Sequence, residues 1–456
     1  MSETSAIRRP SRRELVQATA AAAVAAPLVL PATALGRSRV VAASERIGLG
    51  IIGVNGMGQA NLGACAGQPD VEVLAVCDVD TSRREAVLAR HRGAKGYRDY
   101  RELLARRDID AVIIATPPHW HCRMAVDAAE AGKDIFLQKP MTLYPDETLA
   151  VRNAVNRHRR VSQIGTQIHA TENYRRVVEY VRSGKLGKVS VVRTFNVMNQ
   201  GPDGIGVAPR EDPPAGLDWD LWLGPGPARQ FNRLLFRDSY YHSSFWAYSG
   251  GWTPGMAPHI VDLPVWALDL GVPEVAYCTG GRYAIRGDGD APDAQEATWR
   301  YPGLTMTWTM SCCNSFAFDF GRGVPARRLG IYFHGLNGTL MADYGRFEVV
   351  PEGEMLKDAT PPPPTIPPSP GHEREWLDCV RSRRQPSCSV NYHYRIDLAL
   401  TLANLSMTLG RALRWDSAAE RIAGDAEAVR RARPVYRAPW RFPAEHLRRP
   451  FPEVPA

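Results

Sequence analysis

From residue 46 onward the apolar positions fall into two textures. The first consists of short, continuous apolar runs at Ile47 to Gly53, Ala111 to Ala115 and Ile135 to Leu137, joined by a β-branched run at Val71 to Cys77 that ends in Asp78. These alternate with segments of helical spacing at 58–67, Arg83 to His91 and Met124 to Ala131. A strand that is apolar at every position has both faces covered, and strands alternating with helices are joined by crossovers. This part therefore predicts an α/β domain with a parallel, doubly wound sheet of the Rossmann kind. After about Thr166 a helix near Tyr174 to Ser183 and a strand near Val189 to Met198 lead into a Pro/Gly-rich passage. Then Gln295 to Tyr301, Leu304 to Met310 and Leu329 to His334 alternate apolar and polar with period two. Such alternation marks a sheet with one buried face, so the second part predicts an α+β domain with a large open mixed sheet. Thr360 to Pro370 contains seven prolines and predicts an exposed polyproline linker. Beyond it, helices at Glu373 to Arg381 and Tyr394 to Leu413 are expected to pack back on the body. The resulting division is 46–166 for the first domain, 167–440 for the second and 441–456 for a tail.

Residues 1–45 carry a different pattern. Ser11-Arg12-Arg13-Glu14-Leu15-Val16 precedes the apolar stretch Ala18 to Leu30 and the small-residue site Ala32-Thr33-Ala34. This resembles a twin-arginine export signal and predicts export to the periplasm or the exterior by that machinery. The route carries folded proteins, so a cofactor is expected to be loaded in the cytoplasm and to stay bound. No other apolar run reaches the ~18 residues that span a bilayer, so no stable membrane insertion is expected. Loss of residues 1–34 removes four arginines and two glutamates, taking the formal charge from +8 to +6. With no basic run interleaved with aromatics, nucleic acid is not an expected partner. A chain of 456 residues, 44% hydrophobic and 23% charged, is not a disordered one and can bury two cores. Its eight cysteines include no Cys-x-x-Cys pair and no zinc-ligand spacing, so neither a metal nor a disulfide framework is expected.

Candidate chemistry begins at the turn after the first strand. Gly53 and Gly58 hold the first and third positions of the G-x-G-x-x-G phosphate cradle, with Asn55 in the second. Asparagine tolerates positive φ, so the turn is expected to survive the replacement. Gly56 and Met57 complete a strand-turn-helix context in which backbone amides and the helix N-terminus would receive a pyrophosphate. Asp78 ends the second strand, where a carboxylate can accept both hydroxyls of an adenosine ribose and repel a 2'-phosphate. Arg83 and Arg84 follow and soften that repulsion, so NAD is favoured with NADP as the alternative.

The segments Ala115-Thr116-Pro117-Pro118-His119-Trp120-His121 and Gln138-Lys139-Pro140, with the glycine turn, resemble the glucose-fructose oxidoreductase/inositol dehydrogenase/MocA family. Its members carry T-P-x-x-x-H and E-K-P at matching places. Gly216 to Pro225, Tyr248-Ser249-Gly250-Gly251, His259-Ile260-Val261-Asp262 and His372 to Arg381 resemble its exported, sugar-directed branch, so the likeness covers most of 46 to 440. The resemblance implies a homo-oligomeric, nicotinamide-dependent oxidoreductase acting on a hydroxyl or keto group of a sugar, glycoside or cyclitol. It implies that Lys139 stabilises the alkoxide, that His259 is the acid/base, and that a cis bond precedes Pro140. Cofactor neighbours would be Gly53, Asn55, Gly56, Met57, Gly58, Asp78, Thr116, Pro117, His121, Lys139 and Gln167.

Two departures matter. Gln138 replaces the family glutamate, and Gly255 stands where family dehydrogenases commonly place an aspartate four residues before the histidine, which leaves the relay incomplete. His259 would then work alone or with His242, Tyr241 or Tyr248, and Asp262 is a further substrate-side candidate. The aromatic cluster Tyr240 to Trp252 suits either stacking on a sugar ring or packing of a sheet face. Two other functions fit. One is a redox-neutral, NAD-dependent glycosidase, a branch that the resemblance implies lacks the motif lysine. The other is a nucleotide- or sugar-binding protein without catalysis.

Overall fold

Six parallel strands open the fold: β1 (Ile47–Ile52), β2 (Val71–Cys77), β3 (Lys95–Tyr97), β4 (Ala111–Ile114), β5 (Asp134–Leu137) and β6 (Ser162–Ile164). They pair in the order β3-β2-β1-β4-β5-β6 in a computed structural model that describes residues 45–314 and 329–447. The export signal expected before residue 45 lies outside the described residues. Every residue of β1, β4 and β5 is buried, as continuous apolar runs require of strands covered on both faces. Register does the rest. Ile52 pairs with Cys77 on one side and Ile114 on the other, and Ile114 pairs with Leu137. The residues that follow these four, Gly53, Asp78, Ala115 and Gln138, therefore emerge together at one edge of the sheet. The chain reverses its winding direction between β1 and β4, where the crevice of such a sheet opens.

One face of this sheet is covered by helices His121–Glu130 and Pro145–Arg157. The other face is covered in part by helix His372–Ser382, whose Trp376 and Leu377 pack with Leu49, Ile51, Ile113 and Phe136. The Trp376 and Phe136 rings lie edge to face, 5.5 Å apart, and a buried aromatic of this size is worth on the order of 3 kcal/mol. A helix read as belonging to the second domain thus completes the core of the first. The proline tract that delivers it is exposed but is not a free linker. Helix Glu172–Arg182 holds it: Glu179 accepts from the amides of Thr365 and Ile366 at 2.5 and 2.6 Å, Arg175 donates to the Pro367 carbonyl at 2.7 Å, and Tyr180 donates to that of Ala359.

The second sheet has nine strands: β7 (Val189–Val197), β8 (Val275–Gly281), β9 (Ala294–Tyr301), β10 (Leu304–Ser311), β11 (Leu329–Gly335), β12 (Gly338–Ala342), β13 (Phe347–Pro351), β14 (Leu413–Asp416) and β15 (Arg421–Ala423). Their order is β13-β12-β11-β7-β10-β9-β8-β14-β15. β7 and β10 run parallel and the other pairs antiparallel, so the sheet is mixed. Burial alternates strictly along β9, and its inward Trp299 donates to the Ala399 carbonyl of helix Val390–Leu409 at 2.8 Å. That helix starts and ends four residues before the sequence expectation. Gly410, at φ +66°, stops it in the left-handed conformation, and Leu413 opens β14 instead. All eight cysteines are unpaired and seven are buried, where they pack as small apolar groups. Among the described residues no helix is long and apolar enough to cross a membrane.

Candidate active site

A cleft of about 1350 Å³ runs along the sheet edge where these strand ends meet. Gly53, Asn55, Gly56 and Met57 line its near end. Positive φ falls at Gly53 (+88°) and Gly56 (+43°), not at Asn55, so the tolerance expected of asparagine is not used. Asn55 instead donates from Nδ2 to the Arg237 carbonyl at 3.2 Å, tying the turn to the opposite wall. A Cβ on Gly58 would stand 2.1 Å from the Gly53 carbonyl oxygen, so only glycine lets helix Met57–Ala66 approach β1 this closely. Gly58 itself does not line the cleft. The space above Gly56 is open: a Cβ there would meet nothing within 4 Å. The Gly58 amide is taken by the Asn55 carbonyl at 2.8 Å, so the part of this helix start that is left to receive a pyrophosphate is the backbone at Gly56 and Met57, which line the open space.

Asp78 lines the same end and is 9% exposed. Burial pushes its carboxyl up, and the amides of Val54 and Asp80, each donating at 2.9 Å, pull it back. The carboxylate thus shapes the glycine turn and keeps lone pairs for a ligand. Arg83 stacks over the Phe236 ring at 3.8 Å and donates to the Phe236 carbonyl, forming the wall opposite. Arg84 turns away and donates to the backbone carbonyl of Asp78. Tyr100 and Trp120 form the floor, and Trp440 packs edge-on to Trp120 at 4.7 Å. None of Tyr100, Trp222, Phe236 and Trp440 was singled out as a cleft residue from sequence, and no local spacing links them.

Thr116 and Pro117 line the middle of the cleft. His121 does not. It is fully buried, with Nδ1 2.6 Å from the Pro140 carbonyl and Nε2 2.8 Å from that of Thr116. Burial pushes it down to about 4, so the neutral ring donates to one of these carbonyls at a time. It clamps the Thr116 and Pro140 loops together and is out of reach of a ligand. Gln167 is exposed and also lies outside the cleft lining.

Lys139 follows β5, precedes the cis Pro140 and lines the cleft. Its Nζ donates to the Gly255 carbonyl at 2.6 Å, and burial pushes the ammonium down to about 8. Gln138 also lines the cleft: its Nε2 donates to Asn61, which in turn donates to Glu373, and its Oε1 accepts from the Lys139 amide at 3.3 Å. Among the described residues no carboxylate pairs with Lys139. Gly255 lies in helix Trp252–Met256, and His259 lies one turn on, in helix Pro258–Leu268. His259 is 9% exposed and stands behind the lining rather than in it. Burial first, and the Lys139 charge second, hold it well below its usual range. Its Nδ1 is buried with no hydrogen-bond partner among the described residues.

The remaining substrate-side candidates separate clearly. His242 lines the cleft, its Nε2 is 3.2 Å from the Tyr248 carbonyl, and its Nδ1 is buried without a partner. Burial pushes it down to about 4, which makes it a neutral acceptor. Tyr248 is fully buried and donates to the Pro227 carbonyl at 2.7 Å, so its hydroxyl is spent on packing. Tyr241 lies under the Arg237 guanidinium and outside the lining. Asp262 is fully buried and held by His169 at 3.1 Å and by the Tyr392 hydroxyl, away from any ligand. The geometry as a whole brings a glycine turn at a helix start, a carboxylate, a neutral histidine and one lysine ammonium to one cleft.

The model of an oxidoreductase family with an NAD-binding Rossmann fold matches residues 47–166, and that of an oxidoreductase family C-terminal alpha/beta domain matches 181–442. The inositol 2-dehydrogenase of Salmonella typhimurium is 32% identical over 146 residues, which are 31% of this chain and 44% of that protein. The alpha-N-acetylgalactosaminidase of Shewanella oneidensis is 30% identical over 187 residues, 38% of this chain and 41% of that one. The chain thus spans well under half the length of these relatives. The WlbA dehydrogenase from Bordetella pertussis, solved in complex with NADH and UDP-GlcNAcA, shares the fold with a TM-score of 0.61 at 18% identity, over 81% of this chain and 99% of that one.

Proposed function

The chain belongs to the Gfo/Idh/MocA oxidoreductase family, and on that premise we propose that it oxidises or reduces a hydroxyl or keto group of a sugar, glycoside or cyclitol. The observation that carries this reading is the convergence, at one sheet edge, of the Gly53–Met57 cradle, Asp78, Thr116 and Lys139. A nicotinamide dinucleotide, when bound, accepts or supplies a hydride. The amides at Gly56 and Met57 would hold its phosphates and Asp78 its ribose. Below about pH 8 the Lys139 ammonium, with one proton on the Gly255 carbonyl, has donors left for a developing alkoxide. His259, behind this lining and 9% exposed, is neutral at physiological pH and would take the hydroxyl proton.

A second reading, a redox-neutral glycosidase, is favoured by Gly255 and opposed by Lys139. Incubating the purified protein with NAD and a panel of sugars and glycosides separates the alternatives. NADH absorbance that rises with substrate supports the dehydrogenase. Aglycone release without NADH accumulation supports the glycosidase, and neither signal supports a binding protein.

Asp78→Ser should lower the preference for NAD over NADP by roughly tenfold, since it removes both a paired acceptor and a charge that repels the 2'-phosphate. The ratio of the two dissociation constants is the measurement, because loss of the bonds to Val54 and Asp80 would weaken both cofactors alike. A wild type that already binds NADP more tightly would show that Asp78 does not select the cofactor. Export is part of the same proposal. Replacing Arg12 and Arg13 by lysine should leave the chain in the cytoplasm, as fractionation would reveal, and unchanged secretion would remove the assignment.

A further inference from the structure

A second cavity, of about 930 Å³, shares no lining residue with the first. Tyr144, Trp246, Asn404, Arg430, Arg431 and Arg433 are among its walls, and no carboxylate lines it. The chain around helix Ala426–Arg431 therefore brings three arginines to one hollow. Cations at the end of a helix often do no more than answer its dipole. Here the balance of partners says more. Arg433 pairs with Asp146 at 3.0 Å. Arg431 reaches Glu427 only at 3.7 Å, and Glu427 is already held by Arg411 at 2.7 Å. Arg430 has no acidic partner among the described residues. Trp246, half-buried, also lines the hollow, and its ring is backed closely by Gly251, where a Cβ would lie 3.4 Å from it. Its amide is fixed to Asp290 at 2.6 Å.

We infer that this cavity binds a small ring-bearing carboxylate, the carboxylate on Arg430 and Arg431 and the ring against Trp246. The planar guanidinium fork matches a carboxylate with two parallel hydrogen bonds, and a flat indole face excludes water from one side of a ring. A sugar acid and an aromatic acid share this chemistry. The site abuts the segment Leu143–Pro145, which follows the lysine loop, and Gly250, which is next to the cleft residue Ser249. It is nevertheless a separate site, and its test reads binding without turnover.

Calorimetric titration of the full chain with glucuronate, benzoate, glucose and inorganic phosphate tests it. One of the two carboxylates should bind saturably and at least tenfold more tightly than glucose and phosphate, and which of the two wins identifies the source. The double variant Arg430→Ala/Arg431→Ala should raise its Kd at least tenfold, and Trp246→Ala should weaken the carboxylate while leaving phosphate unchanged. Both arginines are exposed, so the variant should keep the wild-type melting temperature. Several results would overturn the inference: no saturable carboxylate binding, phosphate binding as tightly, an unchanged Kd in the arginine variant, or binding lost in Lys139→Ala and kept in the arginine variant, which would put the ligand in the main cleft.

Discussion

Lys139→Ala and His259→Ala should each lower kcat by about 10² or more while cofactor affinity changes little. The lysine sits where burial has lowered its pKa to about 8, and its ammonium's one partner among the described residues is a backbone carbonyl. A cation held without a carboxylate in a closed site is worth most when negative charge appears beside it, which happens only as the alkoxide forms. Its removal therefore costs turnover rather than ground-state binding. The rate should also fall as pH rises through about 8, because a deprotonated lysine keeps no positive charge for the alkoxide, and this limb should vanish in Lys139→Arg. The histidine acts in the other sense. A ring kept neutral by burial and by the neighbouring ammonium is ready to accept a proton, and alanine in its place removes that acceptor. Steady-state kinetics beside an NAD titration check both variants. Loss of NAD affinity matching the loss of rate would make Lys139 a cofactor anchor instead.

What could be read from the sequence is what depends on neighbours along the chain. Continuous apolar runs spell out β1, β4 and β5, a β-branched run spells out β2, and the strict alternation of β9 and β10 spells out a half-buried sheet, because strand period is a local property. Gly53, Gly56, Asp78 and Lys139 follow strand ends or turns, so their positions came with the strands. The errors arise where distant segments meet. His121 looked like a ligand neighbour, but its two nitrogens face carbonyls from two different loops. Tyr248 and Asp262 looked available, and each is consumed by a partner at least 21 residues away. The Trp376 helix packs back on the body as expected, but that it completes the first domain's core, and that Trp440 packs behind Trp120 of the cleft floor, depends on contacts no periodicity announces. An aromatic residue reads alike in sequence whether it stacks on a ligand or on another aromatic.

Gly255→Asp is the substitution that should move the whole pH-rate profile upward. Its backbone lies inside helix Trp252–Met256 with no positive φ, so a side chain is conformationally allowed there. A Cβ would meet Ser243 Oγ at 3.2 Å, a contact that a small shift of the serine relieves. The new carboxylate would stand beside Lys139, which already donates to the carbonyl of this residue, and one turn before His259. Negative charge favours the protonated form of both groups. The imidazolium of His259 gains first, so the acid limb, where the base is lost, moves up. The ammonium of Lys139 gains as well, so the basic limb moves up from about 8. An opposite charge within ~4–6 Å is worth about one to three pH units, or tenfold or more in rate on the basic flank. Asp262 already lies three residues after His259, but His169 and Tyr392 hold its carboxylate, so it does not make the new one redundant. If the profile of Gly255→Asp is undisturbed and His259→Ala turns over at near the wild-type rate, the proton leaves by another route. Tyr248 is then already excluded by its bond to Pro227, and His242, with Nδ1 unpartnered at the cleft wall, is the residue to replace next.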